Sequence, residues 1–274
     1  FVSSHVYGYQ YALILIDDHS RLKAIYFLKK KSEALAKIKS YVTSMNALIS
    51  RGSHEPRYAV GSLHTDNAGE FLSRAAASYF LEEGIEHSTC PAYVHQLNGV
   101  AERAIRTITE HARASMVLSN APKSFWPYAF EHAVDVINRT TGPPKNEATS
   151  YEVVTGEKPK LMAILPFGCR AYPLKPRVQL SKTTIDAKAW AGINLGRVPS
   201  IPGAYNVWIP SRQTVVHTSD VQFSEDLMPW RPRGDERVGA SVAAPPGDDD
   251  RASNVLLQAP IAKPPRVDLP PSAE

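Results

Sequence analysis

Two short segments constrain this chain more than any others: Leu63-His64-Thr65-Asp66-Asn67 and Gln96-Leu97-Asn98-Gly99-Val100-Ala101-Glu102-Arg103. The first reads as the end of a buried strand with a carboxylate at its tip, the second as a loop entering a helix whose first turn carries another. Thirty-five residues separate Asp66 from Glu102. A strand tip and a helix start are rigid mounts, so a fold that brings them together holds two carboxylates at a fixed spacing. Converging carboxylates repel, and one tends to protonate unless a cation lies between them. Mg²⁺ and Mn²⁺ are hard ions that take oxygen ligands in near-octahedral geometry. Two of them roughly 3.5–4 Å apart can activate an attacking oxygen and stabilise a leaving one at a phosphodiester. Asp66 and Glu102 are therefore candidate catalytic metal ligands. A plainer reading stands beside this one: an Asp after a strand often forms a turn or caps the next helix, and the helix dipole alone favours a Glu in a first turn.

Around these segments, strand and helix patterns alternate. Tyr11-Ala12-Leu13-Ile14-Leu15-Ile16 is a run of strand formers closed by the turn-like Asp17-Asp18-His19-Ser20-Arg21, and Leu22 to Leu28 reads as the second strand of a hairpin. Ser32 is a candidate N-cap for a helix with Leu35, Ile38, Tyr41, Val42, Met45 and Leu48 or Ile49 near helical spacing, stopped by Arg51-Gly52. A strand from Tyr58 to Leu63 leads to Asp66. Phe71 to Glu83 then reads as a helix with Leu72, Ala75, Ala76, Tyr79 and Phe80 inward, capped by Gly84, before a strand from Ile85 to Thr89. The helix from Gly99 carries an apolar stripe of Ala101, Ile105, Ile108, Ala112 and Met116. A second stripe holds Glu102, Arg106, Thr109 and Arg113. If Glu102 holds metal at a reacting phosphate, Arg106 and Arg113 lie along the same face toward adjacent phosphates; a solvated charged face is the alternative. Pro122-Lys123-Ser124-Phe125-Trp126 opens another helix, with Phe130, Ala133, Val134 and Ile137 as its buried face and Asn138-Arg139 near its end. Such alternation predicts an α/β layered domain over residues 1–145.

From Phe167 the texture changes to short β-like pieces: Cys169 to Tyr172, Ala189 to Leu195, Tyr205 to Ile209, Thr214 to His217 and Val221 to Phe223. Glycines and prolines separate them, which predicts a small antiparallel β unit within residues 146–230. Lys175, Arg177, Lys182 and Lys188 precede or enter it and are candidates for backbone contacts to DNA, although lysines in loops are more often merely solvated. After Trp230 the chain turns to Pro, Ala, Asp and Ser, including Pro245-Pro246-Gly247-Asp248-Asp249-Asp250, Pro264-Pro265 and Pro270-Pro271. That composition cannot bury enough apolar surface to offset ordering, so residues 231–274 are expected to be a disordered linker.

Composition sets wide bounds. Of 274 residues, 43% are hydrophobic and 21% charged, which is ordinary for a folded protein. A net charge of +4 is compatible with a polyanionic partner. Two cysteines, Cys90 and Cys169, suggest no disulfide framework. No apolar run approaches the ~20 residues that cross a membrane, and Phe1-Val2-Ser3-Ser4 lacks a signal-peptide layout. A first residue that is Phe rather than Met reads as a fragment of something longer.

The run His64-Thr65-Asp66-Asn67-Ala68-Gly69-Glu70-Phe71, then Cys90-Pro91-Ala92-Tyr93, then Gln96 to Arg103, closely resembles the integrase of copia-type LTR retrotransposons. Ser124-Phe125-Trp126, the Asn138-Arg139 pair, Gly203 to Trp208 and Ser219 to Phe223 resemble the same family. The resemblance runs from about Tyr7 to Phe223, and spacing and flanking residues agree together. It implies a ribonuclease-H-like core with a mixed sheet and flanking helices, in which Asp66 and Glu102 are the second and third members of a metal-holding D, D-35-E triad. It further implies Mg²⁺ (or Mn²⁺) as cofactor, and strand transfer of element DNA 3′ ends into target DNA. Asn98, Arg103, Arg106 and Arg113 would then contact nucleic acid. By the same resemblance the full-length protein acts as a homo-oligomer in the nucleus, after a cytoplasmic particle stage.

The first triad Asp is the point of departure. In the family pattern a stretch like Asp17-Asp18-His19-Ser20-Arg21 follows the catalytic strand, so the missing Asp and its strand are expected before Phe1. A sheet in the order 3-2-1-4-5 would then lack its middle strand, leaving two edges unpaired. This chain alone is therefore expected to have little strand-transfer activity. Two alternatives remain open: a non-catalytic nucleic-acid-binding remnant or domesticated module of the same fold, and a nuclease of the ribonuclease H type.

Overall fold

A computed structural model of the chain describes residues 8–50, 60–65, 68–89, 99–144, 147–176, 187–231 and 255–259. Its strands are β1 (Tyr11–Asp17), β2 (Lys23–Leu28), β3 (Ser62–Thr65), β4 (Glu86–Thr89), β5 (Arg170–Pro173), β6 (Gly192–Arg197), β7 (Tyr205–Ile209), β8 (Thr214–Thr218), β9 (Val221–Ser224) and β10 (Val255–Ala259). Its helices are α1 (Ala34–Ser50), α2 (Arg74–Glu82), α3 (Gly99–Ser119), α4 (Trp126–Thr140) and α5 (Ser150–Thr155). The strands form two five-stranded sheets, ordered β2-β1-β10-β3-β4 and β8-β7-β6-β5-β9.

Every residue of β1 from Ala12 to Asp17 is buried. A strand so uniformly apolar needs cover on both faces. Because side chains alternate, Ala12, Ile14 and Ile16 join Ile108 of α3 and Trp126 and Ala133 of α4 in one core. Leu13 and Leu15 join Ile38 and Tyr41 of α1 and Tyr79 and Phe80 of α2 in the other. The result is the expected mixed α/β sheet with flanking helices.

The β1–β2 hairpin is antiparallel, and its turn is locked by Asp17, whose carboxylate accepts the Ser20 backbone N–H at 2.7 Å and the Ser20 hydroxyl at 2.5 Å. At the outer edge, the Asn138 side chain of α4 accepts the Lys23 backbone N–H at 2.9 Å and donates to the Lys23 carbonyl at 2.7 Å. A side-chain amide thereby does for the edge strand what another strand would do.

Several boundaries differ from expectation for local reasons. The helix expected from Phe71 starts at Arg74, because Ser73 accepts the Ala76 N–H and caps it. Phe71 is held in the core, while Leu72 is 55% exposed and Ala75 also faces solvent. The helix expected at Ser32 is preceded by a 3-10 turn, Lys31–Glu33. The strand expected to end at Leu63 runs on to Thr65. Helix α5 was not anticipated: Thr149 caps it on the Glu152 N–H, and Gly156 at φ +72 ends it in the left-handed region.

The largest departure is β10, which falls inside the stretch expected to be a disordered linker. It runs parallel to β1, from Leu13 opposite Val255 to Asp17 opposite Ala259, and antiparallel to β3 through Thr65 and His64. Val255-Leu256-Leu257 is rich in strand-compatible residues, and β1 and β3 each present backbone groups that need partners. The middle position, expected to belong to a strand before Phe1, is thus filled by β10. The rest of the anticipated linker beyond Arg231 lies outside the described residues.

The second sheet is antiparallel throughout. Four of its strands fall within a residue or so of the sequence reading. The other, β6, begins at Gly192 rather than Ala189. A side chain at Gly192 would meet Val207 Cγ1 at 2.5 Å, so only glycine permits this close pairing. The sheet packs on α4, with Leu195, Phe167, Trp208 and Trp230 entering the same core as Ile14 and Ile16.

Replacing Asn138 with alanine strands two backbone groups of β2 at a part-buried edge. Asn138→Ala is expected to lower stability by about 1–3 kcal/mol, measured as a shifted urea midpoint. An unchanged midpoint would show that water replaces the amide without cost.

Candidate active site

Of the six residues singled out by the sequence, Glu102, Arg103, Arg106 and Arg113 are described, while Asp66 and Asn98 lie outside the described residues. The strand that precedes Asp66 in the sequence is described to its end. Thr65 ends β3, is 1% exposed, and its hydroxyl lies 2.9 Å from His87 Nε2 on β4. One residue back, His64 Nδ1 lies 2.9 Å from the Ser88 hydroxyl. The parallel β3–β4 register sets both bridges, and the Phe80 ring backs His87 at 4.7 Å. Burial lowers the His87 pKa, and neighbouring His64 adds to the effect.

Glu102 sits in the first turn of α3, exposed, as are Arg103, Arg106 and Arg113. The opposite side of α3 is anchored by Ala101, Ala104, Ile108 and Ala112. Of the apolar stripe read from the sequence, Ile105 and Met116 are only partly buried, and Ala104 takes the inner position instead. Three alanines on the buried face let the helix lie close to the sheet. Glu102, Arg106 and Arg113 thus share the solvent side of a helix whose other side is fixed.

Asp17 and Asp18, the other strand-end carboxylates, are engaged in the hairpin turn. Asp17 is 1% exposed and holds Ser20, while Asp18 pairs with Arg21 at 2.9 Å. Among the described residues, no group of three or more His, Cys, Asp and Glu side chains could hold a metal ion. Of the loop cations, Lys175 Nζ donates to the Ala187 carbonyl at 2.6 Å, whereas Arg177 and Lys182 lie outside the described residues.

A second polar cluster, at the joint between α4 and the second sheet, went unread in the sequence. Asn206 Oδ1 lies 2.7 Å from His217 Nδ1, and Asn206 Nδ2 reaches the Arg197 carbonyl at 3.3 Å and Glu131 Oε2 at 3.5 Å. Beside Glu131, His132 packs on Gly196, where an added Cβ would come within 3.2 Å of the ring. Asp135 is paired with Arg139 at 2.7 Å. Burial raises the Glu131 carboxyl to about 7, and Asp135 adds to the rise. Burial lowers His132 to about 4, against the pull of Asp135. The signal available in the sequence was charged residues at helical spacing within an otherwise apolar helix.

Residues 169–236 match the family described as the retroviral polymerase SH3-like domain. The chain is 33% identical over 218 residues to the retrovirus-related Pol polyprotein from transposon TNT 1-94 of Nicotiana tabacum, covering 80% of this chain. It is 34% identical over 170 residues to that from transposon RE1 of Arabidopsis thaliana, covering 62% of this chain. It spans only 16% and 11% of the length of these relatives. Solved structures that it resembles include the HTLV-2 integrase catalytic core domain in complex with magnesium, at TM-score 0.36 and 17% identity, covering 49% of this chain and 77% of that one. Another is the catalytic core domain of BIV integrase, at TM-score 0.37 and 18% identity, covering 54% of this chain and 95% of that one.

The joint yields a pH prediction. A carboxyl whose folded pKa is raised contributes stability below its unfolded value and loses it as pH rises through the folded value. Glu131 should therefore cost stability between about pH 4.5 and 7. His132, lowered in the folded state, contributes above its unfolded value of 6.5 and loses that contribution as pH falls to about 4. Relative to the unchanged chain, Glu131→Gln should gain on the order of 3 kcal/mol as pH rises through the first window, and His132→Gln should lose relative stability through the second. Urea midpoints at four pH values check both; differences that do not vary with pH would overturn the assignment.

Proposed function

The chain is a homologue of the retrovirus-related Pol polyproteins of copia-type plant transposons, and from that premise we propose that it is the catalytic core and SH3-like region of a retrotransposon DNA integrase. The reaction is strand transfer. A 3′ hydroxyl of element DNA attacks a target phosphodiester, a new phosphorus–oxygen bond forms in line, and the target strand's own 3′ oxygen leaves. Asp66 and Glu102 would hold Mg²⁺ or Mn²⁺, which supplies activation of the attacking oxygen and charge neutralisation at the leaving one. Oxygen donors of this kind suit a hard cation, and the solvent-facing Glu102 carboxylate is open to one.

The observation that carries this reading is the shared solvent face of α3. It presents Glu102 with Arg106 and Arg113 on a helix whose inner side is locked into the sheet. A fixed carboxylate at the reacting phosphate with guanidinium groups farther along the same face fits an extended polyanion. Asn98 and Arg103 would add contacts near the same helix start. DNA is thus the partner, with element ends and target engaged together. Oligomerisation and action in the nucleus belong to the full-length protein under this reading. With Asp17 and Asp18 committed to the hairpin turn, neither supplies the remaining carboxylate of a triad, and joining by this chain alone is expected to be weak.

Two measurements separate the enzyme from a non-catalytic DNA-binding module. Asp66→Asn and Glu102→Gln should each weaken Mn²⁺ binding at least tenfold by calorimetry, whereas Asp17→Asn should leave it unchanged while lowering stability by about 1–3 kcal/mol. Arg106→Glu should weaken DNA binding and reduce the magnitude of its salt slope by about 1 or more. Metal binding indifferent to Asp66 and Glu102, alongside an Arg106-dependent salt slope, would leave the DNA-binding module and remove the enzyme.

A further inference from the structure

Strand β2 is the outer strand of the first sheet, and part of its outer side is open. The Asp17 N–H donates to the Leu22 carbonyl at 2.9 Å, which fixes the phase of the β1–β2 ladder. Bonded positions alternate in an antiparallel pair, so the backbone groups of Lys23, Ile25 and Phe27 point away from β1. Asn138 bears this out by holding both outward groups of Lys23. Among the described residues, no hydrogen bond from another element reaches the outward groups of Ile25 and Phe27. A cleft of about 440 Å³ lies against this edge. Four charged side chains line it: Glu131 and Asp135 from α4, Lys37 from α1, and Lys23 from β2 itself. Lys23 Nζ donates to the Arg21 carbonyl at 2.8 Å, and one Asp135 oxygen pairs with Arg139, while the other has no hydrogen-bond partner among the described residues.

An open row of backbone donors and acceptors is a template for one more strand. The two faces of such a strand would meet different surroundings. Ile25 and Phe27 pack on the α4 side, and Ala24 and Tyr26 on the α1 side. Asn138 holds Lys23, and the Trp126 ring meets Phe27 edge-on at 5.3 Å, so Glu131 and Asp135 lie on α4 between these two contacts. Side chains of an added strand would point alternately toward these carboxylates and toward Lys37. We propose that the Ile25–Phe27 edge docks an extended peptide as a sixth strand. Its recognition element is a lysine or arginine directed at Glu131 and Asp135, with a glutamate or aspartate next in sequence directed at Lys37. Neither β2 of a second copy nor residues 1–7 of this chain carries a carboxylate for Lys37, so charge selects a separate partner. Docking here involves neither metal binding nor strand transfer, and goes beyond the integrase reading.

The probe is a labelled heptapeptide of valine and threonine with one glutamate followed by one lysine at its centre, titrated by fluorescence anisotropy into the full-length chain. Two further peptides carry N-methyl groups on alternate residues, one on the odd positions and one on the even. Only one of these two sets of N–H groups can face β2, so one methylated peptide should lose about tenfold or more in affinity and the other should bind as the parent does. Lys37→Glu should weaken binding about fivefold, with unchanged circular dichroism, and a peptide with lysine in place of its glutamate should restore it. Glu131→Gln should weaken binding by a similar factor. No binding, equal effects of the two methylation patterns, or a Lys37→Glu effect that the charge-swapped peptide fails to rescue, overturns the proposal. So does a chain dimer, seen by sedimentation, that the peptide dissociates, which assigns the edge to a second copy. A tenfold gain in peptide affinity on Val2→Pro with Val6→Pro likewise overturns it, by assigning the edge to the start of the same chain.

Discussion

A strand that is apolar on both sides has no stable place except between two helical layers, and Tyr11–Asp17 imposes that condition on everything around it. Each fully buried leucine or isoleucine of this strand contributes roughly 1.5–3 kcal/mol relative to exposure, so a one-residue slip in register would exchange the two cores at once. Alternation along β1 decides which helices lie on which face. Ile14 and Ile16 select α3 and α4, and Leu13 and Leu15 select α1 and α2. The solvent-facing stripe with Glu102 is the remainder of that choice: once Ala101, Ala104 and Ile108 are turned inward, the carboxylate and its arginines can only point out.

Helix α4 extends the same logic to the second sheet. Ten of its fifteen residues are buried, so it has almost no solvent face and must be covered on several sides. The first sheet covers one side, the SH3-like sheet another and α5 a third. Polar groups admitted into such a place must be satisfied or neutral. Asn138 is satisfied by β2, and one carboxylate oxygen of Asp135 by Arg139. Glu131 and His132 instead shift in opposite directions, each toward its uncharged form. The joint between the two sheets therefore excludes net charge at neighbouring positions that would both be ionised in water near pH 5.5.

How much of this was legible in the sequence follows from how local each signal is. The hairpin, the inner stripes of α1 and α4, and strands β5, β7, β8 and β9 were readable because period and turn residues are written within a few positions of one another. The start of α2 was missed by three residues because a cap, Ser73, outweighed the apolar Phe71 and Leu72 before it. Strand β10 was missed for a different reason. Its short Val-Leu-Leu run is surrounded by proline and aspartate, and the two strands it pairs with, β1 and β3, lie far from it along the chain. The Glu131–Asn206–His217 cluster joins side chains more than seventy residues apart along the chain, which no local pattern encodes. At the candidate site, the first helical turn of α3 was legible from its own flanks, whereas Asp66 lies outside the described residues.

The strand that pairs there bears on the proposed chemistry. Asp66 follows β3, whereas Glu102 rides on α3, which is anchored to the face of β1. The end of β3 and the first turn of α3 therefore belong to different halves of the sheet, and β10 is the strand that joins those halves. It pairs with β1 over five residues but with β3 over two. The weaker seam lies on the β3 side. A metal pair tolerates little change in ligand spacing, because displacement by about 1 Å can cost on the order of a hundredfold in rate. Whichever strand occupies the middle position therefore sets more than stability. By fixing how far β3 stands from β1, it sets the separation of the end of β3 from the start of α3, on which the proposed metal site would depend, and a strand that pairs with β3 over a longer register would hold that separation more stiffly than β10 does.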